Sequence, residues 1–158
     1  MARFVFFSLS LVLVALDRLL KAWAASALDL SVPVPVLGQV VRLNRIHNVG
    51  GAFGIFPRSG ILFIAVSSVV SAGLVVFLGF AHPRSALLKT GLSLVLAGAI
   101  GNLIDRLTLG YVLDFAEFRG LFIFNLADAC ITIGIALVLI QVFLRGDRDR
   151  PIGEAPRP

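Results

Sequence analysis

This chain lacks the parts from which most familiar sites are built. It has a single cysteine, Cys130, so neither an internal disulfide nor a Cys-x-x-Cys ligand pair is possible. Cys130 lies inside an apolar run and reads as a small buried core residue rather than a nucleophile. The only histidines, His47 and His82, are far apart, and there is no His-Glu-x-x-His pattern or glycine-rich phosphate loop. Metallopeptidase, zinc-finger and nucleotide-binding readings lose their basis, and no metal or other cofactor is expected. The net charge of +5 invites a nucleic-acid reading. The basic residues, however, are scattered between apolar stretches rather than gathered on one face, which suits anionic lipid headgroups better.

What the chain does have is apolar length. Hydrophobic residues make up 58%, against roughly 45–50% in a soluble domain, and the mean hydropathy is +0.98. These values imply an integral membrane protein, and 158 residues allow one domain. Four stretches approach the roughly twenty residues a spanning helix needs: about 4–25, 60–81, 87–104 and 122–144. Spans of this kind must be helical, because backbone groups in lipid find partners only within a helix or a closed barrel. Gly73, Gly79, Gly91, Gly98 and Gly134 suit close helix packing.

The expected fold is therefore an all-α membrane protein of four transmembrane helices, residues 1–144, with a cytoplasmic tail at 145–158. The N-terminus imitates a cleavable signal peptide, but Asp17, Arg18 and Lys21 sit where such a peptide is uncharged, so the helix should be retained. Setting aside Arg18 and Lys21, which lie in a span, seven basic residues fall on the side of the termini and five on the other. That balance leans toward cytoplasmic termini. The periplasmic loop 26–59 carries Val32, Val34 and Val36 alternating with Pro33 and Pro35, a Gly38-Gln39 turn, and Val40-Val41-Arg42-Leu43. It reads as a small extracytoplasmic β-sheet whose first strand is an edge, where proline is tolerated. Such a sheet suits lying on the membrane and cradling an extended peptide.

Several acids and amides sit at the edges of the apolar stretches. An ionised group there costs roughly 2.5–3.5 kcal/mol on insertion scales, so each calls for a use. Asp17 and Lys21 share a helix face, either as a local ion pair or as support for a polar site. Asn48 precedes a flexible Val49-Gly50-Gly51-Ala52-Phe53-Gly54 and offers an amide that can fix a substrate backbone. Asn102, Asp105 and Arg106 have helical spacing. Asp105 stands beside a cation and suits a strut that holds Arg106. Asp114 and Asp128 have no cation next to them in sequence. Brought together in a partly dry pocket they would share a proton, one acting as general base on water and the other polarising a carbonyl. Asn125 and Asp128 also have the spacing of a helix N-cap and its N3 partner, which is compatible with that chemistry.

Taken together, these segments resemble the bacterial lipoprotein signal peptidase (signal peptidase II) family across nearly the whole chain. The resemblance rests on Asp17-x-x-x-Lys21, Asn48-x-Gly50-x-Ala52-Phe53, Gly101-Asn102-x-x-Asp105-Arg106, Val112-Leu113-Asp114-Phe115 and Phe124-Asn125-x-Ala127-Asp128. It implies that Asp114 and Asp128 are a catalytic pair, that Asn48, Asn102, Asp105, Arg106 and Asn125 shape the site, and that Asp17 and Lys21 lie nearby. It further implies an aspartic endopeptidase of the inner membrane that cleaves diacylglyceryl-modified prolipoproteins just before the lipidated cysteine. The implied partners are those precursors and membrane lipids, for a monomeric enzyme. The segment 115–127 is short for the family, which implies a trimmed loop over the site. Two other readings stand beside this one. A small transporter would also place acids in a bundle, although no inverted repeat is visible. A Ser-Lys peptidase built from Ser26 and Lys21 would leave the acid cluster unused.

Overall fold

The computed structural model describes residues 2–50, 60–81, 83 and 85–148, with the side chains of 2–5 and 146–148 left aside. Gly51, Ala52, Phe53, Gly54, Arg58, His82, Arg84 and the tail 149–158 lie outside the described residues. Four helices run in chain order: α1 Ala2–Ala27, α2 Gly60–Phe80, α3 Ala86–Leu109 and α4 Leu126–Arg148. Helices α2, α3 and α4 are long and apolar enough to cross a membrane. Helix α1 has the length, but Asp17, Arg18 and Lys21 interrupt its apolar run.

Helix α3 is the hub and packs on α1, α2 and α4. Its two ends are set locally. Ser85 Oγ accepts the Leu88 N–H at 3.2 Å, and Gly110 closes the other end at φ 80°, a left-handed conformation that costs glycine little. The tightest packing is against α4. A Cβ at Gly98 would lie 2.2 Å from the Ala127 carbonyl oxygen, and one at Gly134 would lie 2.6 Å from that of Gly91. Only bare backbones can approach so closely. Gly73 and Gly79 do not share this role, for a Cβ at either would meet none of the described residues within 4 Å. Helix α2 turns most of its apolar surface outward.

The sheet differs from the expectation of one confined to the first loop. It has four antiparallel strands in the order β1 Val34–Leu37, β2 Val41–Asn48, β3 Val112–Phe118 and β4 Phe122–Phe124. Half of it comes from the segment between α3 and α4. Residues 122–124, read from sequence as the start of the last span, pair instead with β3, so the helix begins at Leu126. Pro35 lies in the edge strand β1, as anticipated. The short stretch 115–127 is thus mostly a tight hairpin, with Gly120 at φ 77° in its turn.

One sheet face rests on the end of α1. Leu113 and Phe115 pack with Ala24 and Leu28, and the Trp23 and Phe115 rings meet edge-on at 6.5 Å. Arg45 Nη1 donates to the Ala25 carbonyl at 2.8 Å, placing a cation where the α1 carbonyls lack partners. Side chains alternate across a strand, so Asp114, lying between Leu113 and Phe115, points the opposite way, toward the ends of α3 and α4.

Candidate active site

The site forms where the start of α4, the end of α3 and strand β3 converge. Asn125 and Asp128 cap one another: Asn125 Oδ1 accepts the Asp128 N–H at 3.0 Å, and Asp128 Oδ2 accepts the Asn125 N–H at 3.3 Å. This capping box was legible in the spacing. A third N–H of the same helix start, that of Ala127, goes to Asp17 Oδ1 at 3.0 Å, a partner 110 residues away. Asp17 therefore ties α1 to the turn that carries Asp128.

Asp114 is fully buried and held by two amides. Asn48 Nδ2 donates to Oδ2 at 2.9 Å, and Asn125 Nδ2 donates to Oδ1 at 2.7 Å. Strand pairing delivers Asn48, which lies opposite Val112 on the same face as Asp114, while Asn125 arrives from the turn between β4 and α4. Burial, and after it the charge of Asp128, push the Asp114 carboxyl up to about 7. Asp128 Oδ1 accepts from Asn102 Nδ2 at 2.7 Å. Asn102 Oδ1 in turn accepts from Lys21 Nζ at 3.2 Å and from Asn125 Nδ2 at 3.3 Å. Two carboxylates thus face one small polar centre, and each accepts from an asparagine amide.

Behind them lies a buried ionic joint. Lys21 Nζ stands 2.8 Å from Asp17 and 2.9 Å from Asp105. Asp105 also pairs with Arg18 and accepts the Leu113 N–H at 3.1 Å. Two acids and two cations cancel, which makes their burial tolerable. The expected strut between Asp105 and Arg106 is not formed. Adjacent residues on a helix point in different directions, so Asp105 faces α1. Arg106 instead lies over the Phe63 ring of α2, 5.0 Å from its centroid, with Nη1 3.4 Å from the Asn102 carbonyl oxygen.

The structure therefore gathers Asp17, Lys21, Asn48, Asn102, Asp105, Asp114, Asn125 and Asp128 into one bonded network, with Arg106 at its edge. Arg18 enters the sequence reading only as a charge within the first span. Its pairing with Asp105, 87 residues away, has no signal in the sequence. The Ser26–Lys21 alternative loses its base, because the Lys21 ammonium is held in ion pairs with Asp17 and Asp105 and donates to Asn102. Ser26 meanwhile donates to the Trp23 carbonyl at 2.9 Å. The acids also meet under a sheet at helix ends rather than at mid-bundle, where a transporter would carry its site.

Comparison with known proteins gives a consistent result. The signal peptidase (SPase) II family model matches residues 9–144. The lipoprotein signal peptidase of Brevibacillus brevis is 39% identical over 150 residues, covering 92% of this chain and 99% of that one. Its counterpart from Moorella thermoacetica is 36% identical, covering 96% and 97%. A bacterial membrane enzyme solved by the in meso method superposes with a TM-score of 0.86 at 25% identity, covering 97% of this chain and 94% of that one. A second such structure gives 0.78 at 27% identity, covering 87% and 92%.

Proposed function

The chain belongs to the signal peptidase II family, and from that premise we propose that it is an aspartic endopeptidase that removes signal peptides from diacylglyceryl-modified prolipoproteins. Cleavage falls before the lipidated cysteine. One observation carries this reading: Asp114 and Asp128 come from different elements to a single centre, where buried amides hold them. Two acids so placed do not ionise together easily, and they share a proton. One takes a proton from water as the water adds to the peptide carbonyl, while the other donates to the carbonyl oxygen. Asn48, Asn102 and Asn125 fix the carboxylates and leave a polar rim for the substrate backbone. Asp17, Lys21 and Asp105 hold that frame together, and Arg106 adds positive charge at its edge.

On this reading α1 joins the other three helices in crossing the bacterial inner membrane. Its 26 residues span about 39 Å at 1.5 Å per residue, more than the roughly 30 Å of hydrocarbon. Its charges are met by α3 and α4 rather than by lipid. Both termini then lie in the cytoplasm and the dyad near the extracytoplasmic face, beneath the sheet. The signal helix and lipid arrive sideways from the bilayer to a monomeric enzyme.

The test is a time course with purified protein on matched precursors with and without the diacylglyceryl group. Asp114→Asn and Asp128→Asn should each accumulate in the membrane and cleave neither precursor. Wild type should strongly prefer the lipidated one. Turnover by either variant would remove the dyad, and equal cleavage of both precursors would leave a general membrane aspartic peptidase.

A further inference from the structure

The hydrogen bonds between α1 and the two aspartates run in one direction. Asn125 Oδ1 is taken by the Asp128 N–H, so its amide nitrogen must face Asp114 Oδ1 and Asn102 Oδ1. An ammonium can only donate, and Lys21 Nζ meets the same Asn102 oxygen at 3.2 Å. With two donors on its oxygen, Asn102 has only N–H to offer Asp128, which it does at 2.7 Å. Turning that amide over would set its NH₂ against both Lys21 and Asn125. The bonding pattern therefore fixes the orientation of a group that is otherwise ambiguous.

We propose that Lys21 is a positioning residue for Asp128, acting through Asn102: by holding that amide in one sense it makes Asp128 the base of the dyad and leaves the proton on Asp114. This rests on the aspartic-dyad reading above and adds its division of labour. The charged groups facing Asp128 are Lys21 from α1, Arg106 from α3 and Asp114 from β3, with Asp17 beside them on the preceding N–H. Asp128 also sits in the first turn of α4, where the helix dipole favours an anion. Among the described residues Asp114 accepts hydrogen bonds from neutral amides alone, and it is fully buried, conditions under which a carboxyl retains its proton.

The proton balance closes. Asp128 takes a proton from water as its oxygen bonds to the carbonyl carbon, and Asp114 passes its proton to the carbonyl oxygen. On collapse the C–N bond breaks and Asp128 returns its proton to the leaving amine. Asp114 recovers one from a hydroxyl of the diol, leaving acid and amine as products and the dyad as it began.

The experiment is the pH profile of kcat/KM for folded variants of the whole chain. Lys21→Met alone would leave the buried Asp17 carboxylate without its cation, while Asp105 keeps Arg18. The informative pair is therefore Lys21→Gln, which keeps a donor for Asn102, and Asp17→Asn with Lys21→Met, which removes the donor while leaving an oxygen for the Ala127 N–H. In the double variant only the 3.3 Å bond from Asn125 Nδ2 still holds the Asn102 oxygen, so the amide is less firmly held in one sense, and the acid limb should move up by as much as about one pH unit, the loss of one hydrogen bond to a charged group. In Lys21→Gln, which loses the charge but keeps the donor, the limb should move clearly less than in the double variant. A merely structural role would lower the whole profile without moving the limb, and that outcome overturns the proposal. An equal shift in both variants overturns it too, since charge and not amide direction would then be responsible. Failure of the dyad itself reads out separately, as turnover by Asp114→Asn or Asp128→Asn.

Discussion

Asn125 and Asp128 hold each other at the first turn of α4, the amide oxygen of one on the N–H of the other and the carboxylate on the N–H in return. The same Asn125 amide donates to Asp114 at 2.7 Å, so one side chain both starts a helix and joins the two acids. Asn125→Asp keeps an oxygen for the cap but puts a carboxylate against Asp114. It should unfold within about 1 kcal/mol of wild type and cleave at least roughly a hundredfold more slowly, about 2.7 kcal/mol at the barrier. Asn125→Ala should lose both stability and cleavage. Thermal unfolding in detergent with a precursor assay separates the two effects, and full activity of Asn125→Asp would refute the double role.

The raised carboxyl of Asp114 links folding to pH. It stands at about 7 in the folded protein, against roughly 3.9 in an unfolded chain. Between those values the folded state holds a proton that the unfolded state has released, so stability falls as pH rises. The Asp114 contribution is fully present below about 4 and lost as pH rises through about 7. Asp114→Asn does not titrate, so its melting temperature should fall less than that of wild type between about pH 5 and about pH 8. Equal slopes in a melting series would contradict the raised value. Cleavage by wild type should likewise decline on the alkaline side near 7 as the shared proton is lost.

Close packing of α3 on α4 predicts a contrast between two glycines. A Cβ at Gly98 would stand 2.2 Å from the Ala127 carbonyl oxygen, one residue before Asp128, whereas one at Gly79 would meet none of the described residues within 4 Å. Gly98→Ala should destabilise by about 1–3 kcal/mol, as overpacking does, and reduce cleavage by shifting the Asp128 turn. Gly79→Ala should be neutral or slightly stabilising. Parallel melts and assays of the two variants check this, and equal behaviour would show that the helices separate freely.

Asp105→Asn removes the partner of Arg18 and one of the two acids on Lys21. Breaking a buried pair costs about 3–5 kcal/mol. The effect should sit at the low end, because Arg18 is only partly buried and Lys21 keeps Asp17. Stability should fall by roughly 3 kcal/mol with cleavage only partly reduced in the surviving folded enzyme. A melting temperature unchanged in detergent would mean the joint contributes nothing.

Much of this protein is determined by local sequence. Apolar runs of spanning length impose helices because lipid offers the backbone no other partner. The spacing of Asn125 and Asp128 sets a helix start, because a cap needs only a side-chain oxygen and an N–H three residues on. Prolines restrict β1 to an edge because they donate no ladder bond. Only tertiary structure decided the rest. Val112-Leu113-Asp114-Phe115 and Phe122-Ile123-Phe124 are as apolar as the spans beside them, and they become strands because β2 arrives from the first loop to pair with β3. Asp105 follows Arg18 and Lys21 rather than its neighbour Arg106, since burial obliges each charge to take whichever opposite charge packing brings within reach. Gly98 and Gly134 allow helix contact while Gly73 and Gly79 do not, because a glycine's identity permits close approach but only a facing backbone makes it.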